Sequence, residues 1–428
     1  MVDLSFDTLP NLTDSMGQLR AINLAGGVFL TALIGATAGA WDFPDDYNFG
    51  VAGDDHLPEI LERVRREHNL PALAAVSMSS TGMIELGATG VRAVGFPDRV
   101  TTNDQWHLGS ITKPMTATVA ARLVEKGRIK WNTTIVQAVP ELAATIREEY
   151  RKITLEELLR HESGLPRDVP MESQNSEAAQ RLLQKGMAVW FLQDYDAKLS
   201  STANRLKCAA TVLAQSPVGP RGKSDYSNVG VMIAGLMLEK ATGKSFEELF
   251  KQELLIPLGM NATGFGPPGA SGQRNQPWGH WQKPESYRVT WIALDPGDRF
   301  ADNPPSLDPA GRAHATLQDI ARFAGAHLSG ELRKAGFLST KSFRKLHTPA
   351  GAEWGMDWMV STRDWAKGRW LYHSGSNGRW FACLTLAPDV DFAVFAACNA
   401  AEETGENACD QAAWALIQRY PRTKTLRN

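Results

Sequence analysis

The sequence is poor in cysteine for its length, with 4 cysteines in 428 residues and no Cys-x-x-Cys pair. So few cysteines cannot form a disulfide scaffold in a chain this long, and they match neither a zinc site nor a thioredoxin-like motif. An excess of one charge is also missing, because 45 Lys and Arg face 47 Asp and Glu. We therefore expect no nucleic-acid partner and no charged binding tail.

Long apolar runs are absent apart from residues 21–40, which carry no charge. Ala36 and Ala38 resemble a cleavage site, so we expect residues 1–40 to be a signal peptide and the protein to be periplasmic or secreted. An uncleaved membrane anchor is the alternative, since twenty apolar residues just span a bilayer. The chain as a whole is 43% hydrophobic and 21% charged, as in a soluble globular protein.

Hydrophobic periodicity predicts strands at both ends of residues 41–428 and helices between them. Strands are predicted at 72–78, 83–91, 369–373, 380–388 and 392–400, and longer helices at 56–68, 110–125, 229–240, 316–328 and 408–420. We expect one catalytic unit with an α/β lobe, about 55–125 and 312–428, and a mainly helical lobe, about 126–311. Within it, residues 266–312 lack any period and predict a long ordered loop. Its tryptophans, Trp278, Trp281 and Trp291, either form an aromatic rim for substrate or pack the loop.

Several catalytic motifs are missing: a GxSxG elbow, HExxH, a phosphate-binding loop and GxGxxG. The nine histidines are scattered singly, so we expect neither a metal site nor a cofactor. The catalytic pattern that the sequence does contain is Ser-x-x-Lys, at Ser110-Ile-Thr-Lys113. On a helix, residues three apart share a face, and a buried lysine with a lowered pKa can take the serine proton.

The position of Ser110 suits a nucleophile. Pro114 is tolerated only in the first turn of a helix, which places Ser110 where backbone N–H groups are unpaired and can stabilise an oxyanion. A Ser-x-x-Lys pattern is weak by itself, and Ser342-Phe-Arg-Lys345 is a second match that we attribute to chance on a surface helix.

Two further motifs support the interpretation of Ser110 and Lys113 as a catalytic pair. Tyr226-Ser-Asn228 is the single Tyr-x-Asn of the chain, and His373-Ser374-Gly375 the single Lys/His-Ser/Thr-Gly. In this order and spacing, the three motifs resemble the serine β-lactamase and penicillin-binding-protein superfamily, in its class C β-lactamase-like branch. Supporting segments such as ITLEELLRHESGLP and DYSNVGVMIAGLMLEKATG extend the resemblance over most of residues 55–418.

The resemblance implies an α/β (α+β) fold of the β-lactamase/transpeptidase type, with an antiparallel sheet flanked by helices and an inserted helical lobe. It also implies residue roles. Ser110 would attack an acyl carbonyl, with Lys113 and Tyr226 sharing the base role, since a lysine ammonium would favour the tyrosine phenolate. The remaining implied roles are these: Asn228 orients Lys113 and the substrate amide, Ser376 and Ser110 donate backbone N–H groups to the oxyanion, and His373, Ser374 and Gly375 line the pocket.

One departure limits the substrate prediction. Many β-lactamases have a lysine where this chain has His373, so efficient β-lactam hydrolysis is not expected. We predict a serine hydrolase that forms an acyl-enzyme from an ester or amide, with a small molecule or short D-amino-acid peptide as substrate. The alternatives are a penicillin-recognising DD-carboxypeptidase or weak β-lactamase, an acyltransferase, and a non-catalytic binding member. His161 is predicted to be a core or turn residue, and Cys398 and Cys409 are either bridged or free and buried.

Overall fold

The computed structural model describes residues 43, 44, 46–168, 196–283, 290–332, 336–351 and 354–420. They belong to a short unit that ends at Tyr47 and one compact unit from Asn48 onward. In the short unit, the rings of Phe43 and Tyr47 lie 4.7 Å apart. Among the helices within these ranges, none combines the length and apolar character needed to cross a membrane. The predicted leader, residues 1–40, lies outside the described residues.

The strands form one central sheet and two small sheets. Their bounds are β1 (Ala72–Ser79), β2 (Gly82–Gly90), β3 (Gln105–His107), β4 (Gly264–Phe265), β5 (Gly279–Gln282), β6 (Trp291–Leu294), β7 (Ala313–Thr316), β8 (Met359–Arg363), β9 (Gly368–Ser376), β10 (Phe381–Ala387) and β11 (Phe392–Cys398). The central sheet is antiparallel with the order β2-β1-β11-β10-β9-β8. Strands β3, β7 and β4 form a second sheet, and β5 and β6 a hairpin.

The helices are named in the same way. They are α1 (His56–Glu67), α2 (Thr112–Glu125), α3 (Ile135–Ala138), α4 (Leu155–Leu159), α5 (Ser201–Leu213), α6 (Asn228–Thr242), α7 (Phe246–Phe250), α8 (Ile256–Leu258), α9 (Asp308–Gly311), α10 (Leu317–Glu331), α11 (Thr340–His347) and α12 (Glu402–Arg419). Helices α1 and α12 pack on each other and on the central sheet, and α10 packs against β1 and β11.

Sequence explains which strands lie in the middle of the sheet. Strands β10 and β11 are uninterrupted apolar runs, FACLTLA and FAVFAAC, and every residue in them is buried. Strand β2 at one edge alternates between half-buried and buried positions toward its end. A strand covered on both faces needs apolar residues at every position, whereas an edge strand with one wet face alternates. Helices therefore cover both faces of the central strands.

Helix α6 forms the middle of the helical region. Residues 228–239 are all buried, and a helix that is apolar on all sides must be surrounded by other elements. Its neighbours include α2, α4, α5 and α9. At the contact with α9, Gly235 leaves room for Pro309, since a Cβ there would lie 2.4 Å from the proline ring. This packing sets the start of α6, at Asn228, against α2.

The predicted α+β fold class is confirmed, with an antiparallel sheet flanked by helices. Some boundaries differ from the prediction. Strand β9 continues to Ser376, three residues beyond the predicted end, and α12 begins at Glu402, six residues before the predicted start. The stretch 266–312 is not a plain loop, because it contains the β5–β6 hairpin and α9.

Candidate active site

Ser110 lies between strand β3 and helix α2, in one turn of 3-10 helix over Gly109–Ile111. Lys113 follows one turn later, and its Nζ donates a 2.9 Å hydrogen bond to Ser110 Oγ. The predicted spacing of three residues thus brings the two side chains into direct contact. Ser110 is partly accessible, whereas Lys113 is fully buried.

Burial determines the protonation state of Lys113. Its Nζ also donates to the carbonyl of Ala310 in α9, at 2.5 Å. Removal from water lowers the pKa of Lys113 to about 7; the charge of Asp357 and that of Asp168 raise this pKa, and Arg167 lowers it. Near pH 7 a large fraction of Lys113 is therefore an uncharged amine, which can accept the proton of the neighbouring hydroxyl.

Tyr226 is held by the capped start of helix α6. Ser227, the N-cap residue, accepts a 2.9 Å hydrogen bond from the Gly230 N–H and donates one of 2.7 Å to Pro166 O. Such a cap satisfies one of the unpaired donors at a helix start. The preceding residue is thereby placed with its ring centre 4.9 Å from Lys113 Nζ.

The protonation of Tyr226 differs from the sequence-based expectation. A lysine ammonium was expected to favour the phenolate, but burial raises the pKa of Tyr226 well above its ordinary value. A hydrogen bond with Ser110 and the charge of Arg167 oppose this rise without cancelling it. Because burial raises its pKa so far, Tyr226 keeps its proton near neutral pH and can act as a donor.

Two glycines bring the end of β9 against the turn Gly109–Ile111, which contains Ser110. A Cβ on Gly375 would lie 2.1 Å from Leu108 O and 2.4 Å from Ser110 N, and one on Gly109 would lie 2.3 Å from Ser376 N. Gly109 also has a φ of +49°, a left-handed conformation that other residues rarely adopt. The backbones therefore touch, and the N–H groups of Ser110 and Ser376 lie near each other, as an oxyanion site requires.

His373 faces Tyr226 as a neutral ring. Its Nδ1 donates to Ser374 O at 2.6 Å, so its Nε2 is unprotonated, and this buried atom has no hydrogen-bond partner among the described residues. Burial lowers the pKa of His373 to about 3. The ring centres of His373 and Tyr226 are 6.4 Å apart. Ser374, the next residue on β9, hydrogen-bonds with the side chain of Tyr372.

Asn228 does not orient Lys113 as expected. Its Nδ2 donates a 2.9 Å hydrogen bond to Asp168 Oδ1, and within the described part of the chain no hydrogen bond joins it to Lys113. The carbonyl of Ala310 takes that position instead. Asn228 and Asp168 together form a polar pair beside the lysine, and burial raises the pKa of Asp168 to about 6.

A family model described as Beta-lactamase matches residues 54–419. This range covers most of the chain and includes every side chain around Ser110. The chain belongs to the β-lactamase family. Within the described residues of this family member, no three His, Cys, Asp or Glu side chains come together as metal ligands.

Curated and solved relatives agree with the family assignment. The chain is 26% identical over 358 residues to penicillin-binding protein 4 of Amycolatopsis lactamdurans, covering 78% of this chain and 82% of that one. It is 23% identical to the D-alanyl-D-alanine-carboxypeptidase/endopeptidase AmpH of Escherichia coli K12, covering 67% and 69%. A D-stereospecific amidohydrolase from a Streptomyces species superposes with a TM-score of 0.63 at 20% identity, covering 84% and 99%. The protein is an enzyme of the serine hydrolase superfamily.

Other residues around Tyr226 were not predicted to belong to the site. His161 is buried in a left-handed turn, as predicted, but its ring lies 4.6 Å from that of Tyr226. The Arg167 guanidinium is 4.9 Å from the same ring, and Trp354 contacts the rings of His161 and His373. His161 belongs to the segment ITLEELLRHESGLP, which carries part of the family resemblance, whereas Arg167 follows it directly. Nothing in the local sequence indicates Trp354.

Other candidates lie away from this β-lactamase-family site. Ser342 Oγ donates to Glu125, and Lys345 pairs with Glu156, so this second Ser-x-x-Lys has no serine–lysine contact. All four cysteines, Cys398 and Cys409 included, are buried and lie outside any disulfide. Trp278 and Trp291 are largely buried and donate to carbonyls of Gln273 and Asn69, which indicates packing of their segment.

Proposed function

We propose that Ser110 attacks the carbonyl of an ester or amide and forms a covalent acyl-enzyme, which water then hydrolyses. The observation that carries this proposal is the 2.9 Å contact between Ser110 Oγ and the buried Lys113 Nζ. The amine form of Lys113 takes the hydroxyl proton as the Oγ–carbon bond forms. The N–H groups of Ser110 and Ser376 hold the negative oxygen of the tetrahedral intermediate.

Proton transfer completes both halves of the reaction. Tyr226 gives its proton to the leaving oxygen or nitrogen as the carbonyl–leaving-group bond breaks, and the protonated Lys113 replaces that proton. In the second half, the amine of Lys113, acting through Tyr226, removes a proton from the attacking water. Ser110 then recovers a proton as the acid is released, so protons and bonds balance over the cycle. His373 remains neutral beside Tyr226 throughout.

The names of the relatives support a small acyl compound or a short D-amino-acid peptide as substrate. A penicillin-recognising DD-carboxypeptidase is the second candidate. The neutral His373 argues against a fast β-lactamase, because it offers no positive charge for a substrate carboxylate.

We further propose that the protein is exported through residues 1–40. N-terminal sequencing of the mature protein tests this proposal, and an intact terminus on protein that stays in the cytoplasm would contradict it.

Active-site labelling tests the nucleophile. We expect a fluorophosphonate probe to add once to the wild-type protein, at Ser110 by peptide mass mapping, and p-nitrophenyl ester hydrolysis to be lost in Ser110→Ala. Ser342→Ala is the matched control, because it changes the serine of the other Ser-x-x-Lys, and should keep both activities. An unlabelled Ser110, or an active Ser110→Ala, would refute the assignment and favour a non-catalytic or different site.

Incubation with benzylpenicillin separates the two substrate candidates. A long-lived adduct on Ser110 in an intact-mass time course would favour the DD-carboxypeptidase. No adduct and no consumption of the drug would favour an esterase or amidase acting on other acyl compounds. Added alcohols or amines that divert the product from the free acid would indicate an acyltransferase.

A further inference from the structure

A buried histidine–carboxylate contact lies next to Tyr226. His161 Nε2 and Asp357 Oδ1 are 3.0 Å apart, and both side chains are 0% exposed. Both residues also have left-handed backbones, with φ of +60° and +57°. The other non-glycine residues of the described chain with positive φ, Asn69, Lys367 and Asp391, are not fully buried. Strained residues that persist in the interior must be held by their surroundings and are often functional.

The hydrogen bonds of His161 determine where its proton lies. The Ser227 N–H donates to Nδ1 at 3.2 Å, so Nδ1 holds a lone pair and the ring proton is on Nε2, facing Asp357. This arrangement suits a neutral imidazole beside a carboxylate. Because Ser227 follows Tyr226, and because the rings of His161 and Tyr226 lie 4.6 Å apart, the imidazole holds both the backbone and the ring of the proton donor.

Few hydrogen bonds offset the negative charge of the buried Asp357 carboxylate. Neither carboxylate oxygen makes a hydrogen bond of regular geometry within the described residues, although Oδ1 lies 3.0 Å from His161 Nε2. Burial raises the pKa of Asp357, while His161 and Lys113 lower it. Its charge in turn favours the protonated form of Lys113. The groups that face Lys113 are Ser110 beside it, Arg167 and Asp168 after α4, Tyr226 before α6, Asp357 before β8 and His373 on β9. Of these, Asp357 is the fully buried anion.

We propose that His161 and Asp357 act as a positioning pair for the reaction. Asp357 holds His161 in its Nε2–H form so that the imidazole fixes Tyr226, and the negative charge of Asp357 stabilises the proton that Lys113 has taken from Ser110. The pair touches no reacting atom. This inference rests on the proposed function, since it requires Lys113 to be the base for Ser110.

The test is the pH dependence of Ser110 acylation, measured in single turnovers with a p-nitrophenyl ester on the full chain. Asn at position 357 keeps the shape and one acceptor oxygen but removes the charge. In Asp357→Asn, Lys113 should lose its proton more easily, so the acidic limb should move down by roughly one pH unit, with a plateau near wild type at high pH. His161→Phe keeps an aromatic ring beside Tyr226 and removes the ring nitrogen that lies 3.0 Å from Asp357 Oδ1, which favours a protonated Asp357. We expect the same downward shift, with a lower plateau because Tyr226 loses its anchor.

Asp410→Asn is the matched control. Burial raises the pKa of the Asp410 carboxyl to about 7, as burial raises that of Asp357, but Asp410 lies on α12 beside Tyr372 and does not face Lys113. Its acidic limb should stay at the wild-type position. An unmoved limb in Asp357→Asn, or an equal shift in Asp410→Asn, would overturn the proposal even if Ser110→Ala is inactive. Activity in Ser110→Ala would instead overturn the proposed function itself. If Asp357→Asn does not fold, His161→Phe alone decides, by the presence or absence of the shift.

Discussion

At the scale of single residues, Lys113, the proposed general base, is buried at the expense of stability. Its pKa in the folded protein, about 7, lies below its ordinary value of 10.5 because burial disfavours the charge. Between these two pH values the unfolded chain binds more protons than the folded one. Wild-type stability therefore increases as the pH rises through this window, and the cost of burying the lysine is largest below it.

The Lys113→Met variant tests both consequences. Acylation of Ser110 should fall by about 10²–10⁴-fold, because the general base is gone. The variant lacks the lysine titration, so its unfolding temperature relative to wild type should decrease steadily from about pH 7 to about pH 10. Single-turnover kinetics and thermal unfolding over this pH range measure the two effects. A constant difference in unfolding temperature would show that Lys113 does not titrate in this window.

The site residues that the sequence predicts belong to local motifs. Ser110 and Lys113 are three positions apart, and Tyr226 precedes a recognisable helix start, so short-range patterns contain them. Asp357 could not be found in this way. It reaches the site from a segment before β8, by contact with a histidine that is distant in sequence, and its own surroundings, Gly-Met-Asp-Trp, carry no pattern. Its role follows only from three-dimensional packing.

At the scale of elements, the proposed oxyanion site depends on the contact between β9 and the turn that contains Ser110. Strand β9 was predicted to end at residue 373, but it continues through Gly375 to Ser376 because it stays paired with β10, where Ser376 lies opposite Phe381. Propensity alone would end a strand at Ser-Gly-Ser. Helix α12 was predicted too short for a related reason. Gly405 lowers the helical signal, yet a Cβ there would lie 2.5 Å from Ala400 O, so tertiary packing requires the glycine.

Gly375→Ala should damage this contact. The added methyl would lie 2.1 Å from Leu108 O and 2.4 Å from Ser110 N, so β9 and the turn would have to separate. Loss of one oxyanion donor lowers kcat by about 10²–10³-fold in other acyl-transfer enzymes, and we expect a loss of that size. Gly336→Ala, where a Cβ would meet nothing within 4 Å, is the control. Steady-state ester hydrolysis and thermal unfolding of the Gly375→Ala and Gly336→Ala variants measure the two effects. A Gly375→Ala variant with near wild-type kcat would show that the two N–H groups do not act together.

At the scale of the whole molecule, a network of buried and half-buried polar side chains connects the helical region to strand β3. Arg205 on α5 has a fully buried side chain that contacts Glu239 on α6, Glu247 on α7 and Asp308 on α9. From Asp308 the chain continues through Arg312 to Asp302, which contacts His107 on β3; the members are Arg205, Glu239, Glu247, Asp308, Arg312, Asp302 and His107. Sequence reasoning predicted helices between two groups of strands, but not these pairs, whose members come from separate elements.

This buried network leads to a prediction about stability that differs from the catalytic ones. Arg205→Met should destabilise the fold by about 3–5 kcal/mol, because Glu239, Glu247 and Asp308 would lose a buried positive partner. Asp308 keeps its 2.5 Å contact with Arg312, so α9 should remain in place and kcat of the folded protein should change little. Arg221→Met is the control, since the Arg221 pair with Glu157 lies at the surface, where such pairs contribute about 0–1 kcal/mol. Equal, small losses in denaturant unfolding of the two variants would show that this network does not stabilise the fold. A large loss of kcat in folded Arg205→Met would instead show that it positions the Ala310 carbonyl, and with it Lys113.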